Sequence, residues 1–229
     1  FQCFAVWIPD NLRGKEALTF FDLCRKKFLD ILDNHFQKNF TPILTVEGGA
    51  VLGGNLDNIR YLKETGVKIL TLTWNGTCEI GDGSGVKNAT GLSDFGKKAV
   101  KELENQNIVI DVSHASKSLF YDVAEISQKP FIATHSNSYK ICPHRRNLDD
   151  DQFNVIKQAR GIVGITFCKD FLKENSDYVT FDDIRKHVDH FLDLGGEDTI
   201  AFGSDFDGAV VPECIDSIGK INNLYEYMC

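Results

Sequence analysis

The sequence lacks the features that mark disulfide-stabilised, membrane-spanning and nucleic-acid-binding proteins. Its seven cysteines are dispersed without a Cys-x-x-Cys pair, so neither a disulfide framework nor a thiolate zinc site is expected. No apolar run approaches the ~18 residues of a membrane span, and no signal-peptide pattern opens the chain. The net charge is −8 and no basic stripe offsets it, which disfavours a nucleic-acid partner. We therefore expect a cytoplasmic protein with reduced thiols and no membrane segment.

Segments that would divide the chain are also missing. There is no Pro/Gly/Ser-rich linker, internal repeat or low-complexity tract, and 229 residues are enough for one well-buried α/β domain. A polar, glycine-rich stretch at residues 78–90 contains neither a Walker motif nor a true Gly-x-Gly-x-x-Gly. We therefore predict an active-site flap there rather than a phosphate-binding loop.

What the sequence does contain is a series of apolar runs that predict buried β-strands separated by helices. The runs are rich in β-branched and aromatic residues and lack clean alternation, which is typical of strands covered on both faces. Strand–helix alternation with short links implies parallel βαβ units. The predicted strands cover residues 2–8, 42–46, 67–73, 108–112, 130–134, 161–167 and 199–203, and the predicted helices cover residues 14–36, 56–63, 95–105, 117–126, 150–159 and 181–194.

This order of elements favours the α/β class and, within it, a (β/α)8 TIM barrel. A closed barrel of this kind needs eight strands, whereas the sequence shows seven and the first begins at the N-terminal residue. We therefore expect a TIM barrel whose first strand is missing from this chain. In this interpretation residues 1–229 form a single barrel domain that is truncated at both ends.

Four reactive side chains fall at or just beyond the ends of predicted strands, namely Glu47, His114, His135 and Asp205. In a parallel barrel the carboxyl ends of the strands meet on one face, where special residues are typically catalytic. His114 and His135 are one βα unit apart, so their strands should be neighbours about 4.8 Å apart. An isolated histidine is more often a hydrogen-bonded core or loop residue. Two at matching positions favour ligation of one zinc ion.

The carboxylates at the other two strand ends have different predicted roles. Glu47 precedes two glycines that allow close backbone approach, and its carboxylate could bridge two cations about 3.5–4 Å apart; the alternative is a structural salt bridge. Asp205 lies in Gly-Ser-Asp-Phe-Asp-Gly. Turn chemistry suits Asp207 and Gly208 better, which leaves Asp205 as a candidate general acid/base.

A pair of arginines follows the strand that ends at His135. Arg145 and Arg146 come after a Cys-Pro-His turn, where one guanidinium could bind a substrate carboxylate through two parallel hydrogen bonds. The alternative is an ordinary solvated pair.

Two further histidines lie three positions apart on a predicted helix. His187 and His190 share a face at i, i+3, but Lys186 and Asp189 lie beside them. We interpret this segment as a solvated helix flank rather than a metal site.

Five motifs follow one another along the chain. They are Thr-Val-Glu47-Gly-Gly, Asp-Val-Ser-His114, Ala-Thr-His135-Ser-Asn, His-Arg-Arg146-Asn and Gly-Ser-Asp205-Phe-Asp-Gly. In this order they resemble the membrane (renal) dipeptidase family of zinc dipeptidases. The resemblance spans nearly the whole chain and implies an amidohydrolase-like TIM barrel that acts as a metal-dependent hydrolase, with two zinc ions, dipeptide substrates and a homodimer. It further implies that Glu47 bridges the metals, that His114 and His135 hold one of them, that Arg146 binds the substrate and that Asp205 handles protons.

The chain departs from the family pattern in two places. The His-x-Asp pair that ligates the other metal on the family's first strand is absent, which leaves this fragment without those ligands for one of the two expected ions. Trp74 stands where family members often have a histidine that steadies the oxyanion. We expect a zinc-dependent dipeptidase that uses metal-activated water. The alternatives are a hydrolase of another amide or lactone on the same barrel, and a non-catalytic binding protein with a partial metal site.

Overall fold

Parallel strands and intervening helices form the framework of the chain, as the sequence predicts. A computed structural model describes residues 1–35 and 41–229, and the chain divides into two compact units, Phe1–Pro130 and Phe131–Cys229. The single barrel domain expected over the whole chain stays a prediction. Among the described helices, none is both long and apolar enough to cross a membrane.

The first unit contains a four-stranded parallel sheet in the order β1-β2-β3-β4. Its register aligns Trp7 with Glu47, Glu47 with Thr71, and Thr71 with Asp111. The carboxyl ends of all four strands therefore lie in one row. The strands are β1 Gln2–Trp7, β2 Pro42–Glu47, β3 Ile69–Thr71 and β4 Val109–Asp111; the helices are α1 Gly14–His35, α2 Asp57–Glu64, α3 Asp94–Asn105 and α4 Lys117–Ile126, with a 3-10 turn at Gly49–Leu52.

The second unit pairs two parallel strands and surrounds them with helices. A register shift between Ile165 and Thr166 places Thr166 opposite Ser204, immediately before Asp205. The strands are β5 Val163–Thr166 and β6 Ile200–Ser204; the helices are α5 Asp150–Gln158, α6 Lys169–Leu172, α7 Phe181–Asp193 and α8 Ile221–Met228, with 3-10 turns at Glu213–Ile215 and Ile218–Lys220.

Six of the seven predicted strands form, and the prediction for residues 130–134 needs correction. That segment makes only an isolated parallel bridge between Ala133 and Val163. Ala133 donates to Ile162 at 2.9 Å and its carbonyl accepts from Gly164 at 2.8 Å. The run begins at Pro130, which has no N–H to donate, so the paired stretch is too short to count as a strand.

Burial explains why the strand predictions succeeded. Every residue of β3 and of β5 is buried, as the lack of polar alternation indicated. Helix ends were less predictable. Helix α1 was predicted to reach Phe36, which lies outside the described residues, and is described to His35. A side-chain cap fixes the start of α3: the Ser93 hydroxyl accepts from the Gly96 amide at 2.9 Å, an arrangement typically worth ~1 kcal/mol.

His187 corrects the prediction of a solvated helix flank. It is 0% exposed, its Nδ1 accepts from the Ser138 amide at 3.1 Å, and its Nε2 donates to the Leu172 carbonyl at 2.9 Å. Burial is the main cause that lowers the pKa of His187 to about 4. The signal was present in the sequence, because Ile184, His187 and Phe191 repeat at i, i+3 and i+7 and share the buried face of α7.

This burial predicts a specific pH dependence of stability. The folded-state pKa of His187 is about 4, below the ordinary value of 6.5, so the unfolded chain takes up the proton first as pH falls. The stabilisation is complete above pH 6.5 and is lost as pH falls towards 4, over a range worth ~3 kcal/mol.

Replacing His187 by glutamine keeps a donor and an acceptor but removes the titration. The free energy of unfolding of His187→Gln, measured by denaturant titration at several pH values, should therefore fall less steeply than that of the wild type over this range. Parallel pH profiles for the two proteins would contradict this account.

Candidate metal and substrate site

Glu47 is positioned by the end of β2 and by the two glycines that follow it. Gly48 has φ of +114°, a conformation that L side chains rarely adopt, and a Cβ on Gly49 would lie 2.2 Å from the Leu72 carbonyl oxygen. Only glycine allows the chain to turn away so closely after the strand. The sequence-based interpretation of this pair as a close backbone approach is confirmed.

His114 is presented by a turn that begins at a buried carboxylate. Asp111 accepts from the Ser113 amide at 2.9 Å and from the Thr71 hydroxyl at 2.6 Å, which ties the turn to β3. His114 then adopts a left-handed conformation with φ of +67°. Non-glycine residues held in this region cost on the order of 1–3 kcal/mol and cluster at functional sites.

The imidazole of His114 is held at both ring nitrogens. Its Nε2 lies 2.9 Å from Oε1 of Glu47, and its Nδ1 lies 3.0 Å from Oδ1 of Asn75. The ring is buried, with 7% of the residue exposed. Sequence reasoning selects Glu47 and His114 for the same site but does not identify Asn75 as a partner of His114.

His135 lies just after the Ala133 bridge in the second unit and is also buried. Its Nδ1 is 2.8 Å from the hydroxyl of Thr134, so this ring too has a hydrogen-bonding partner at Nδ1. Metal-bound histidines typically have such a partner on the nitrogen that does not bind the ion.

In the first unit Glu47 offers a carboxylate oxygen and His114 an imidazole nitrogen, and in the second unit His135 offers another imidazole nitrogen. Two ligands of a tetrahedral zinc ion, each at about 2.0–2.2 Å from it, are roughly 3.3 Å apart. The 2.9 Å between His114 and Glu47 is close to that separation. Two imidazoles and a carboxylate form a donor set that zinc commonly uses, so these residues fit a divalent metal ion.

Thiolates do not contribute to this group. All seven cysteines are free, and burial raises the pKa of Cys78, Cys142 and Cys168. A protonated thiol is a poor metal ligand.

Of the two arginines left open by the sequence, Arg146 is the buried one, with 5% exposed, and Arg145 is exposed. The Arg146 guanidinium lies 5.5 Å from the centre of the Phe171 ring, and its Nη2 donates to the His135 carbonyl at 3.5 Å. His144 stacks on the same Phe171 ring at 4.4 Å. Sequence reasoning missed both supporting rings; the Cys-Pro-His turn was the only signal for His144.

Asp205 occupies a strained turn at the end of β6. It has φ of +66° and is half-buried, and its own carbonyl accepts from the Gly208 and Ala209 amides at 3.3 and 3.1 Å. A Cβ on Gly208 would lie 2.4 Å from Oδ1 of Asp205. Turn formation, assigned from the sequence to Asp207 and Gly208, thus involves the Asp205 backbone as well, and the carboxylate is held above the turn.

The stretch at residues 78–90 differs from the predicted flap because its first half is packed. Ile80, Gly81, Asp82 and Gly83 are buried, and Asp82 accepts from the Thr77 hydroxyl at 2.7 Å and from the Thr90 amide at 2.8 Å. These contacts, with Thr77 first, lower the pKa of Asp82, so it stays charged and ties the loop together. The glycines of this stretch serve close packing and do not make a hinge.

Trp74 lies beside the candidate metal ligands. Its ring is 6.0 Å from that of His114 and meets Trp7 edge-on at 5.2 Å, while its carbonyl oxygen would be 2.0 Å from a Cβ on Gly83. The backbone of Trp74 therefore packs against the loop, and its half-buried indole lies next to the site.

The chain is 34% identical over 174 residues to an uncharacterized protein in the PQQ-III 3′ region of Acinetobacter calcoaceticus, covering 72% of this chain and 55% of that protein. The chain thus spans about half the length of this curated relative.

Two solved structures are similar over 99% of the chain, each with a TM-score of 0.90 and 26% identity. One is a metallo peptidase from Rhodobacter sphaeroides liganded with a phosphinate mimic of the dipeptide L-Ala-D-Ala, of which 79% is covered. The other is the dipeptidase AC, a metallo peptidase of family M19, of which 78% is covered. This likeness confirms the predicted α/β fold class, that of the TIM barrel.

The family model of membrane dipeptidase matches residues 23–229, a range that contains all five motifs of the sequence analysis. The predicted family is therefore confirmed, and the chain belongs to the membrane dipeptidases, peptidase family M19.

Proposed function

We propose that the protein is a metal-dependent dipeptidase that hydrolyses the peptide bond of small dipeptides. The observation that carries this proposal is the pair of Glu47 and His114, whose Oε1 and Nε2 lie 2.9 Å apart, in a chain of the membrane dipeptidase family. The similar Rhodobacter sphaeroides enzyme was liganded with a mimic of a dipeptide, which supports the substrate class. The test is a panel of dipeptides assayed with the full-length protein before and after metal removal.

In this proposal Glu47, His114 and His135 would hold zinc, and Glu47 would also be a ligand of the second ion expected in the intact protein. When bound, such ions lower the pKa of a water towards 7 and polarise the scissile carbonyl. The protein's contribution is to fix the ligand atoms. The left-handed turn at His114 and the glycines after Glu47 do so through the backbone.

Arg146 recognises the carboxylate of the dipeptide in this proposal. Its guanidinium is buried and its plane lies near the Phe171 ring, which restricts the directions in which its N–H groups point. A planar fork of donors matches a carboxylate through two parallel hydrogen bonds. This preference favours substrates with a free C-terminal carboxylate over the lactones and other amides considered from the sequence.

Asp205 accepts the proton of the attacking water and passes it to the leaving amine. Its half-buried carboxylate stands on a turn fixed by the Gly208 and Ala209 amides, so its position is set by the backbone. General acid–base groups of this kind typically contribute 10²- to 10⁴-fold to the rate.

A cytoplasmic location and a homodimer are part of this proposal. Seven free thiols support a reducing compartment. The homodimer implied by the family resemblance stays a prediction.

Removing one ligand should remove metal and activity together. We expect His135→Ala in the full-length protein to lose bound zinc, measured by elemental analysis, and dipeptidase activity, measured with the best substrate of the panel. His190→Ala is the matched control, because His190 bonds to Asp150 on the surface of α5 and should leave the metal content unchanged. Equal metal content in both variants would exclude His135 as a ligand.

The role of Arg146 predicts a difference between two substrates. Arg146→Ala should raise KM for free dipeptides by about 10- to 150-fold, since hydrogen bonds to charged groups are worth ~1.5–3 kcal/mol. The KM for the matching dipeptide amides should change much less. Arg145→Ala, at the exposed neighbour, serves as control and should change neither. An equal effect of Arg146→Ala on acids and amides would count against carboxylate recognition.

The role of Asp205 predicts an effect on rate without an effect on metal. Asp205→Asn should lower kcat by about 10²- to 10⁴-fold while zinc content stays at the wild-type level. Asp207→Asn, at an exposed carboxylate two residues away with nearly the same φ, is the control and should keep kcat within about twofold. If Asp205→Asn lost zinc as well, its role would be that of a ligand and not of a proton carrier.

A further inference from the structure

We propose that Asn75 is a positioning residue for His114. Its side-chain oxygen accepts the proton on Nδ1 of His114, at 3.0 Å, and thereby reserves Nε2 for the metal. This inference rests on the proposed function in one respect, namely that Nε2 of His114 is a metal ligand. Asn75 does not itself touch substrate or metal in this proposal.

The position of the single ring proton decides which nitrogen of a neutral imidazole can bind a metal. A neutral ring carries one N–H, on either Nδ1 or Nε2, and only the unprotonated nitrogen can bind a metal. In His114 the two nitrogens face different oxygens, Oδ1 of Asn75 and Oε1 of Glu47. Both oxygens accept hydrogen bonds, so they compete for the single proton.

A bound cation settles this competition in favour of Asn75. A lone pair on Nε2 and a carboxylate oxygen at 2.9 Å repel each other unless a ring proton or a metal ion lies between them. With the ion in place, the remaining ring proton belongs on Nδ1, where Asn75 accepts it. Outer partners of this kind raise ligand affinity by typically 10- to 100-fold.

The surrounding backbone is built to hold Asn75 against His114. We call residues Gly83, Ser84 and Gly85 the glycine clamp. Its Ser84 amide donates to the His114 carbonyl at 2.7 Å, and its Gly85 amide donates to the Asn75 carbonyl at 2.9 Å. One short segment thus binds the main chain of both partners and fixes their separation.

The clamp works only with glycine at its two ends. A Cβ on Gly83 would lie 2.7 Å from the Asn75 carbonyl carbon, and one on Gly85 would lie 2.7 Å from the Asn75 carbonyl oxygen. On the other side, the Gly76 amide donates to the Asp10 carboxylate at 3.1 Å. Hydrogen bonds on both sides therefore hold the backbone at Asn75 and Gly76 in place. Such support suits a side chain that must keep a fixed distance from His114.

Asn75 could instead present its NH2 group to His114, and the two arrangements have opposite consequences. An NH2 donor would require a bare Nδ1, which puts the proton on Nε2 and obstructs the metal. Removing Asn75 would then strengthen metal binding. In the proposed arrangement, removing Asn75 weakens it, so the sign of the change separates the two.

The experiment measures zinc affinity of the full-length protein by competition with a chelator for wild type, Asn75→Ala, Asn75→Asp and the control Asn105→Ala on α3. We expect Asn75→Ala to bind zinc about 10- to 100-fold more weakly. Asn75→Asp, which can only accept at this position, should restore affinity to within about threefold of wild type, and Asn105→Ala should leave it unchanged. Circular dichroism establishes that each variant is folded.

A second readout reports the proton itself. In the zinc-loaded protein, the Nδ1–H of His114 should give a nuclear magnetic resonance signal protected from exchange in wild type and Asn75→Asp, and exchange-broadened in Asn75→Ala. Unchanged affinity and protection in Asn75→Ala, with zinc bound, would overturn the role of Asn75 alone. Absence of zinc binding in the wild type would instead overturn the proposed function, and the inference with it.

Discussion

The short contact between Nε2 of His114 and Oε1 of Glu47, at 2.9 Å, is the interaction on which the account of the site depends. An imidazole nitrogen and a carboxylate oxygen that approach so closely need a ring proton or a metal ion between them, because both atoms carry lone pairs. In the absence of metal the ring proton forms a hydrogen bond to the carboxylate. A divalent ion can replace that proton and attract both lone pairs more strongly. In the proposed function a second histidine, His135, adds another imidazole, and such a donor group suits zinc.

The backbone makes this contact possible at a cost in local conformational energy. His114, Ser204 and Asp205 all have positive φ, although none of them is glycine. Such conformations persist only where the surrounding hydrogen bonds over-determine them. At His114 the Asp111 carboxylate and the glycine clamp provide those bonds. The strained positions in this chain thus include the predicted acid/base residue and a predicted metal ligand.

Much of this arrangement could be predicted from the sequence, because buried parallel strands leave a simple record. Six strands were located from apolar runs, and the rule that strand ends carry chemistry selected Glu47, His114, His135 and Asp205. The pairing of Glu47 with His114 follows from that rule. The choice between Arg145 and Arg146 did not, since two adjacent identical residues differ only in which side of the chain is covered.

The missed features are those that depend on contacts distant in sequence. The charged neighbours of His187 predict a solvated side chain, whereas its ring is buried and forms hydrogen bonds to Ser138 and Leu172. The spacing of apolar residues on α7 indicates the buried face, but these two partners have no signal in the sequence. The polar composition of residues 78–90 predicts a flap. In the structure Asp82 forms a hydrogen bond with Thr77, and the glycines pack closely against the backbone of Trp74 and Asn75. Asn75 had no sequence signal as a partner of His114, because nothing in a single sequence indicates which side chain lies 39 positions away at 3.0 Å.

The central claim is that Glu47 and His114 bind the same metal ion. Anomalous diffraction from crystals of the zinc-loaded full-length protein tests it most directly, because the zinc signal locates the ion independently of the protein model. The account predicts an anomalous peak about 2.0–2.2 Å from Nε2 of His114 and from a carboxylate oxygen of Glu47. A peak bound elsewhere, with the His114–Glu47 contact intact and bridged only by a proton, would contradict it.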